Sequence, residues 1–498
     1  MRKLLLATVA ALGASMGVAT VADAQTASPA PGTVTVRLNG RFRFYGFVAF
    51  DRDADNNAAG TATGTVNAAG QGTATGGNKQ ANYGFGNYAR LYPGFDGVAA
   101  NGLKYGASLE IRQDQASGAG GGSFGSISGQ NRQRSALYFR REWGYLGTDQ
   151  LGTIRLGSTD QPSSLYMTGN FENFDGGGLN GDIPALLSQN TAITWPFGDV
   201  GGVYTTTKAV YLSPQIFGFD AGVSFEPNTG NVSVQNNCGT GAFSGTNFVN
   251  ASGAFTAAAG ANGQGVSGPG CDRLSSSASN AESQRRRNTL DALLRYRGTF
   301  GGFGVAATAG YITSSNVKDN SGAAFNNNAL ASFAPGAALN AAGAARYNYD
   351  GLEIGDFGVA LSYAGFSVGG KYQFGRFNGG AFGLVPKGLP DGEAWLVGAS
   401  YTIGPVVVGA HYLNYKSAGD LQNALRGRQR QENGVAFGAT YTLAPGVSLF
   451  ASGLWNQRKQ NGYNFITNQG VAAGAQGGNA FSNKVQASIF SIGTSFSW

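Results

Sequence analysis

The sequence has no run of apolar residues long enough to cross a bilayer as a helix, which takes about 18. Charge is scarce: Asp, Glu, Lys and Arg make up 12% of the chain, with a net charge of +7. Basic residues mostly stand singly. The main cluster, Arg285-Arg286-Arg287, reads as a solvated loop end. Nucleic acid is therefore not expected as a partner. Cysteine and histidine are nearly absent, two and one in 498 residues. That excludes a Cys/His metal centre and a disulfide-built scaffold. No metal, cofactor or catalytic constellation is expected.

What is present is glycine, 82 residues of it, and aromatics at 12%. The chain begins Met1-Arg2-Lys3, continues with an apolar stretch from Leu4 to Leu12, and reaches Ala22-Asp23-Ala24. Basic start, short apolar core and small-x-small end form a secretory signal peptide over residues 1–24. Residues 25–498 then form one domain. Cys238 and Cys271 share a Gly/Ser/Asn/Ala-rich stretch, and in an oxidising compartment they are expected to form one disulfide. Closing that loop would stabilise by about 3–4 kcal/mol in the chain-entropy model.

The dominant pattern is alternation with period two, the mark of strands. Val34, Val36, Leu38, Phe42, Phe44, Val48 and Phe50 hold one parity; Thr35, Arg37, Asn39, Arg41, Arg43 and Tyr45 hold the other. Similar blocks recur at 103–112, 290–297, 357–363, 395–403 and 435–443, with Leu293 breaking the polar parity of its block. Connections of two kinds take turns. Seven are short: 98–101, 148–150, 213–216, Gly301-Gly302, Ala364-Gly365, Gly404-Pro405 and Ala444-Pro445-Gly446. The others are long and Gly/Ala/Asn/Ser-rich, such as 52–83, 115–131, 228–286, 316–355 and 459–482. Short turns on one rim and long loops on the other imply a closed transmembrane barrel. Seven turns and eight loops join sixteen antiparallel strands, in contact with outer-membrane lipid.

The last segment, Ala487 to Trp498, puts Phe490, Ile492, Phe496 and Trp498 on one face and Ser491, Gly493, Ser495 and Ser497 on the other. A strand ending on its final aromatic resembles the signal read by the outer-membrane assembly machinery, with Phe496 and Trp498 as the residues read. Tyr88-Ala-Arg-Leu, Gly94-Phe-Asp-Gly97, Asn101-Gly-Leu-Lys-Tyr-Gly106, the stretch Tyr145 to Gly157, and Tyr211-Leu-Ser-Pro214 with Phe217-Gly-Phe219 then resemble, in order, strands of the general (trimeric) Gram-negative porin family. The resemblance covers nearly the whole chain outside the loops. It implies a sixteen-stranded barrel in the cell outer membrane, a homotrimer, passing ions and small hydrophilic solutes. It also implies a third long loop, here 161–196, folded into the barrel, with acidic residues facing a basic wall. Glu172, Asp175 and Asp182 are the acidic candidates. The family's proline–glutamate pair before the aromatic is missing from Phe171-Glu-Asn-Phe-Asp-Gly-Gly-Gly178. Which carboxylate reaches the passage therefore stays open.

Parity places Arg41, Arg43, Arg90, Arg112, Arg140, Arg295 and Arg297 on lumenal faces. Arg141 adjoins Arg140, so one of the two must turn outward unless the strand bulges, and a place near the rim or in a subunit contact is expected for Arg141. His411, in Val406-Val-Val-Gly-Ala-His-Tyr412, reads as an incidental strand histidine, because no nucleophile turn accompanies it. The alternative to a passive pore is a surface adhesin or structural barrel working through its long loops.

Overall fold

The computed structural model describes residues 30–50, 62–66, 72–74, 82–113, 137–171, 173–174, 178–180, 183–187, 191–198, 206–228, 247–249, 255–257, 275–276, 286–319, 348–379, 383–386, 389–419, 430–461, 463–465, 469–470 and 483–498. Residues 1–24, Cys238 and Cys271 lie outside them, so the signal-peptide and disulfide expectations do too.

Sixteen strands close into one barrel. The first eight are β1 (Thr33–Phe50), β2 (Tyr83–Val98), β3 (Lys104–Gln113), β4 (Tyr138–Thr148), β5 (Gly152–Thr159), β6 (Thr206–Leu212), β7 (Phe219–Asn228) and β8 (Arg287–Phe300). The rest are β9 (Phe303–Thr313), β10 (Glu353–Tyr363), β11 (Phe366–Arg376), β12 (Gly392–Ile403), β13 (Val406–Ser417), β14 (Arg430–Ala444), β15 (Val447–Gln460) and β16 (Lys484–Ser497). Each pairs antiparallel with its neighbours in sequence, and β1 pairs with β16 to close the ring. All seven short connections fall where alternation breaks. Gly301 and Gly302 both take positive φ, +54° and +89°. That is the backbone a two-residue hairpin matched to strand twist demands.

The alternation becomes an inside and an outside. Along β1, Val34, Val36, Leu38, Phe44, Val48 and Phe50 are exposed on the outer surface, while Arg43, Tyr45 and Ala49 are buried within. Outward rings at the turn rim stack across strands, Phe303 on Tyr363 at 4.3 Å and Phe366 on Tyr401 at 4.1 Å. These are the aromatic girdle of a barrel's membrane interface. At the seam the Gly40 and Trp498 backbones exchange hydrogen bonds of 3.1 and 3.2 Å. The Trp498 indole fills the place where a Gly40 side chain would stand.

Arg141 departs from expectation. Glu110 on β3 pairs with Arg141, and the next residue, Ile111, pairs with Phe139. Arg140 is the extra residue of a β-bulge, which shifts side-chain parity by one. Both arginines consequently reach the lumenal Glu110. Neither a rim nor a subunit-contact position is needed.

Candidate functional site

Between β5 and β6 the chain enters the barrel. It turns through a short helix, α1 (Pro162–Leu165), and a 3₁₀ turn at Pro184–Leu186. Backbone without a ladder needs other partners when buried; four wall side chains serve it, and a fifth holds a side chain of the segment. Asp291 on β8 accepts from Ser163 N–H at 2.9 Å. Gln373 on β11 donates to the Pro196 carbonyl at 3.1 Å. Glu432 on β14 accepts from the Thr194 amide and hydroxyl at 3.3 and 3.2 Å. His411 on β13 meets the Phe171 carbonyl at 2.7 Å through Nδ1 and the Leu179 amide at 3.1 Å through Nε2. Ser400 on β12 accepts from the Asn173 side chain at 2.8 Å. His411 is thus not an incidental strand residue, and it has no ring nitrogen left for acid–base chemistry.

The same wall is apolar where the segment lies. Leu179, Ile183, Leu187, Ile193 and Phe197 form one buried cluster with wall residues including Leu396, Leu413, Ala436, Leu454 and Ile489. Small wall residues make the room: a Cβ on Gly434 would stand 2.7 Å from Ile193 and Leu179. The segment then crosses the lumen. Leu186 packs against Tyr45, Tyr88 and Phe450, which belong to β1, β2 and β15.

The seven arginines fall into two groups. Glu110, 2% exposed, binds Arg112, Arg140 at 3.0 Å and Arg141; Arg141 also reaches Asp160 at 2.5 Å. Asp220 holds Arg295 at 2.7 Å and Arg297 at 2.8 Å. Arg41, Arg43 and Arg90 gather on one ring. The Arg90 and Arg41 guanidiniums lie 4.2 and 5.3 Å from the Tyr88 centroid, and Arg43 donates to the Tyr88 hydroxyl at 3.5 Å. Arg43 also covers Phe450 at 4.3 Å, a cation–π arrangement. Arg155, which the sequence reading passed over, stands likewise over Trp143 at 4.3 Å. In the segment, Tyr166 lies under Arg295 at 3.8 Å. Burial, then the Asp220 carboxylate, raises its phenol above the ordinary value, so it stays neutral at physiological pH.

Glu172, Asp175 and Asp182 lie outside the described residues. Their neighbours Phe171, Asn173, Phe174 and Ile183 are placed and buried or half-buried. Phe496 and Trp498 are exposed on the outer face. Among the described residues no three His, Cys, Asp or Glu side chains gather as a metal site would require.

A closed antiparallel barrel with an apolar exterior, an aromatic girdle and a polar, charged interior is an outer-membrane β-barrel channel. Residues 266–461 match the family model of Gram-negative porins. The matched segment runs through β8 to β15 of the barrel. No curated protein matches it. Among solved structures it is similar to OmpT of Vibrio cholerae, with 12% identity, 95% of this chain and 100% of that one covered, and a TM-score of 0.46. The outer membrane channel DcaP of Acinetobacter baumannii gives 9% identity, coverage of 95% and 100%, and a TM-score of 0.46. Salmonella typhi OmpF in complex with daunomycin gives 12%, 93% and 97%, and 0.45.

Proposed function

We propose that this barrel is a porin of the outer membrane that passes ions and small hydrophilic solutes passively through a lumen narrowed by the 160–198 segment. The acidic tip of that segment opposes the arginines of the wall. One observation carries the reading: the segment is tethered to β8, β11, β12, β13 and β14 and crosses to place Leu186 on Tyr88, the ring that collects Arg41, Arg43 and Arg90. Glu172, Asp175 and Asp182 are sequence neighbours of these fixed points. Opposed charges across a narrow wet passage set a transverse field that orients polar solutes and biases ion choice. Apolar solutes lose water there without compensation. Catalysis is not part of the proposal, since both nitrogens of the single histidine are engaged by backbone groups. A homotrimer, and recognition of Phe496 and Trp498 during assembly, complete it.

The test is conductance of the purified full-length protein in planar bilayers. Discrete, long-lived steps are expected, grouped in threes for a trimer. Glu172→Gln, Asp175→Asn and Asp182→Asn are then measured singly. If none changes conductance or the zero-current potential under a salt gradient, the constriction reading is wrong.

A further inference from the structure

We propose that His411 is a positioning residue for permeation. A single neutral imidazole clasps the internal segment at Phe171 and at Leu179 and fixes it against the barrel wall. This rests on the constriction reading above. A carbonyl oxygen only accepts, so Nδ1, 2.7 Å from the Phe171 carbonyl, carries the ring proton. A backbone N–H only donates, so Nε2, 3.1 Å from the Leu179 nitrogen, is bare. The tautomer and the ring orientation are thereby both determined.

Phe171 and Leu179 thus both close on one side chain. The imidazole is 2% exposed, so water does not compete for either bond. Phe174 and Trp195, both from the segment, pack their rings 5.7 and 6.4 Å from it. Gly178 adopts φ +44°, and a Cβ there would collide with the imidazole. On the wall side a Cβ at Gly398 would stand 2.9 Å from both His411 and Phe171. Close approach is thus secured from the segment and from the wall. The other four wall tethers each hold a single place on the segment. His411 alone among them binds it at two separated backbone positions.

The experiment uses the full-length channel in planar bilayers. His411→Leu keeps apolar bulk and removes both bonds. His411→Gln retains one donor and one acceptor. Leucine is expected to replace the steady open level with sub-conductance flicker and to shift the zero-current potential, and glutamine to return both toward wild type. Wild-type traces from His411→Leu, in a protein where Glu172→Gln or Asp175→Asn does shift the potential, would overturn the role of His411 and leave the constriction standing. No shift from any acidic substitution would overturn the constriction itself. If His411→Leu does not fold, Gly178→Ala decides, because it presses on the same ring from the segment and leaves the barrel wall intact. Flicker from Gly178→Ala supports the clasp, and wild-type traces refute it. As the chain has one histidine, ¹⁵N NMR reads its tautomer without assignment. A proton on Nδ1 and a bare Nε2 are expected, and the reverse refutes the clasp.

Discussion

Glu110 accepts from three arginines while almost wholly screened from bulk water. Removing one member of such a buried set leaves the others uncompensated, at a cost of about 3 kcal/mol. Glu110→Gln should accordingly lower stability by about that amount, read from urea unfolding of the folded barrel; an unchanged midpoint would contradict the buried-network account. The arginines on Tyr88 have a different role. Arg41→Gln removes positive charge from the passage, so the zero-current potential in a KCl gradient should move toward cation preference. Arg297→Gln, whose charge is already opposed by Asp220, should move it less. Equal shifts would mean that ion pairing does not divide the wall.

At the scale of elements, the strands were legible and the packing of the internal segment was not. Period-two alternation is local, so β1 could be read from Val34 to Phe50 with every inward and outward assignment correct. The bulge at Arg140 was less accessible: two adjacent arginines flagged a conflict, but only the pairing with β3 shows how it resolves. A usable signal for the segment's resting place was overlooked. Leu396, Leu413, Leu454 and Ile489 stand on lumenal parity, where a water-filled wall should be polar, and all four are buried in the cluster with the segment. Apolar residues on the polar face mark the wall the segment covers. Gly434→Val tests this, because the new side chain meets Ile193 and Leu179. Overpacking there should cost about 1–3 kcal/mol and push the segment off the wall, raising open-channel current noise. A quiet channel of unchanged conductance would show that the segment does not rest on Gly434.

For the whole molecule, closure of the ring depends on the junction of the two chain ends. Gly40 leaves the space that the Trp498 indole occupies, and their backbones bond across the seam. Gly40→Leu should therefore reduce the fraction of heat-modifiable folded barrel on electrophoresis, with Trp498→Ala doing so more mildly because its backbone bonds survive. Full folding of Gly40→Leu would show that the seam tolerates the added side chain.

By itself the sequence determined the strand count, the turns and which face of each strand meets lipid. All three follow from neighbours two residues apart and from glycine and proline at the turns. Only tertiary structure decided which carboxylates Arg112, Arg140, Arg295 and Arg297 meet, where the internal segment lies, and that His411 holds it. Those contacts join groups some 240 and 232 positions apart in the case of His411. No local periodicity encodes a contact at that separation; it exists only once the barrel has closed around the segment.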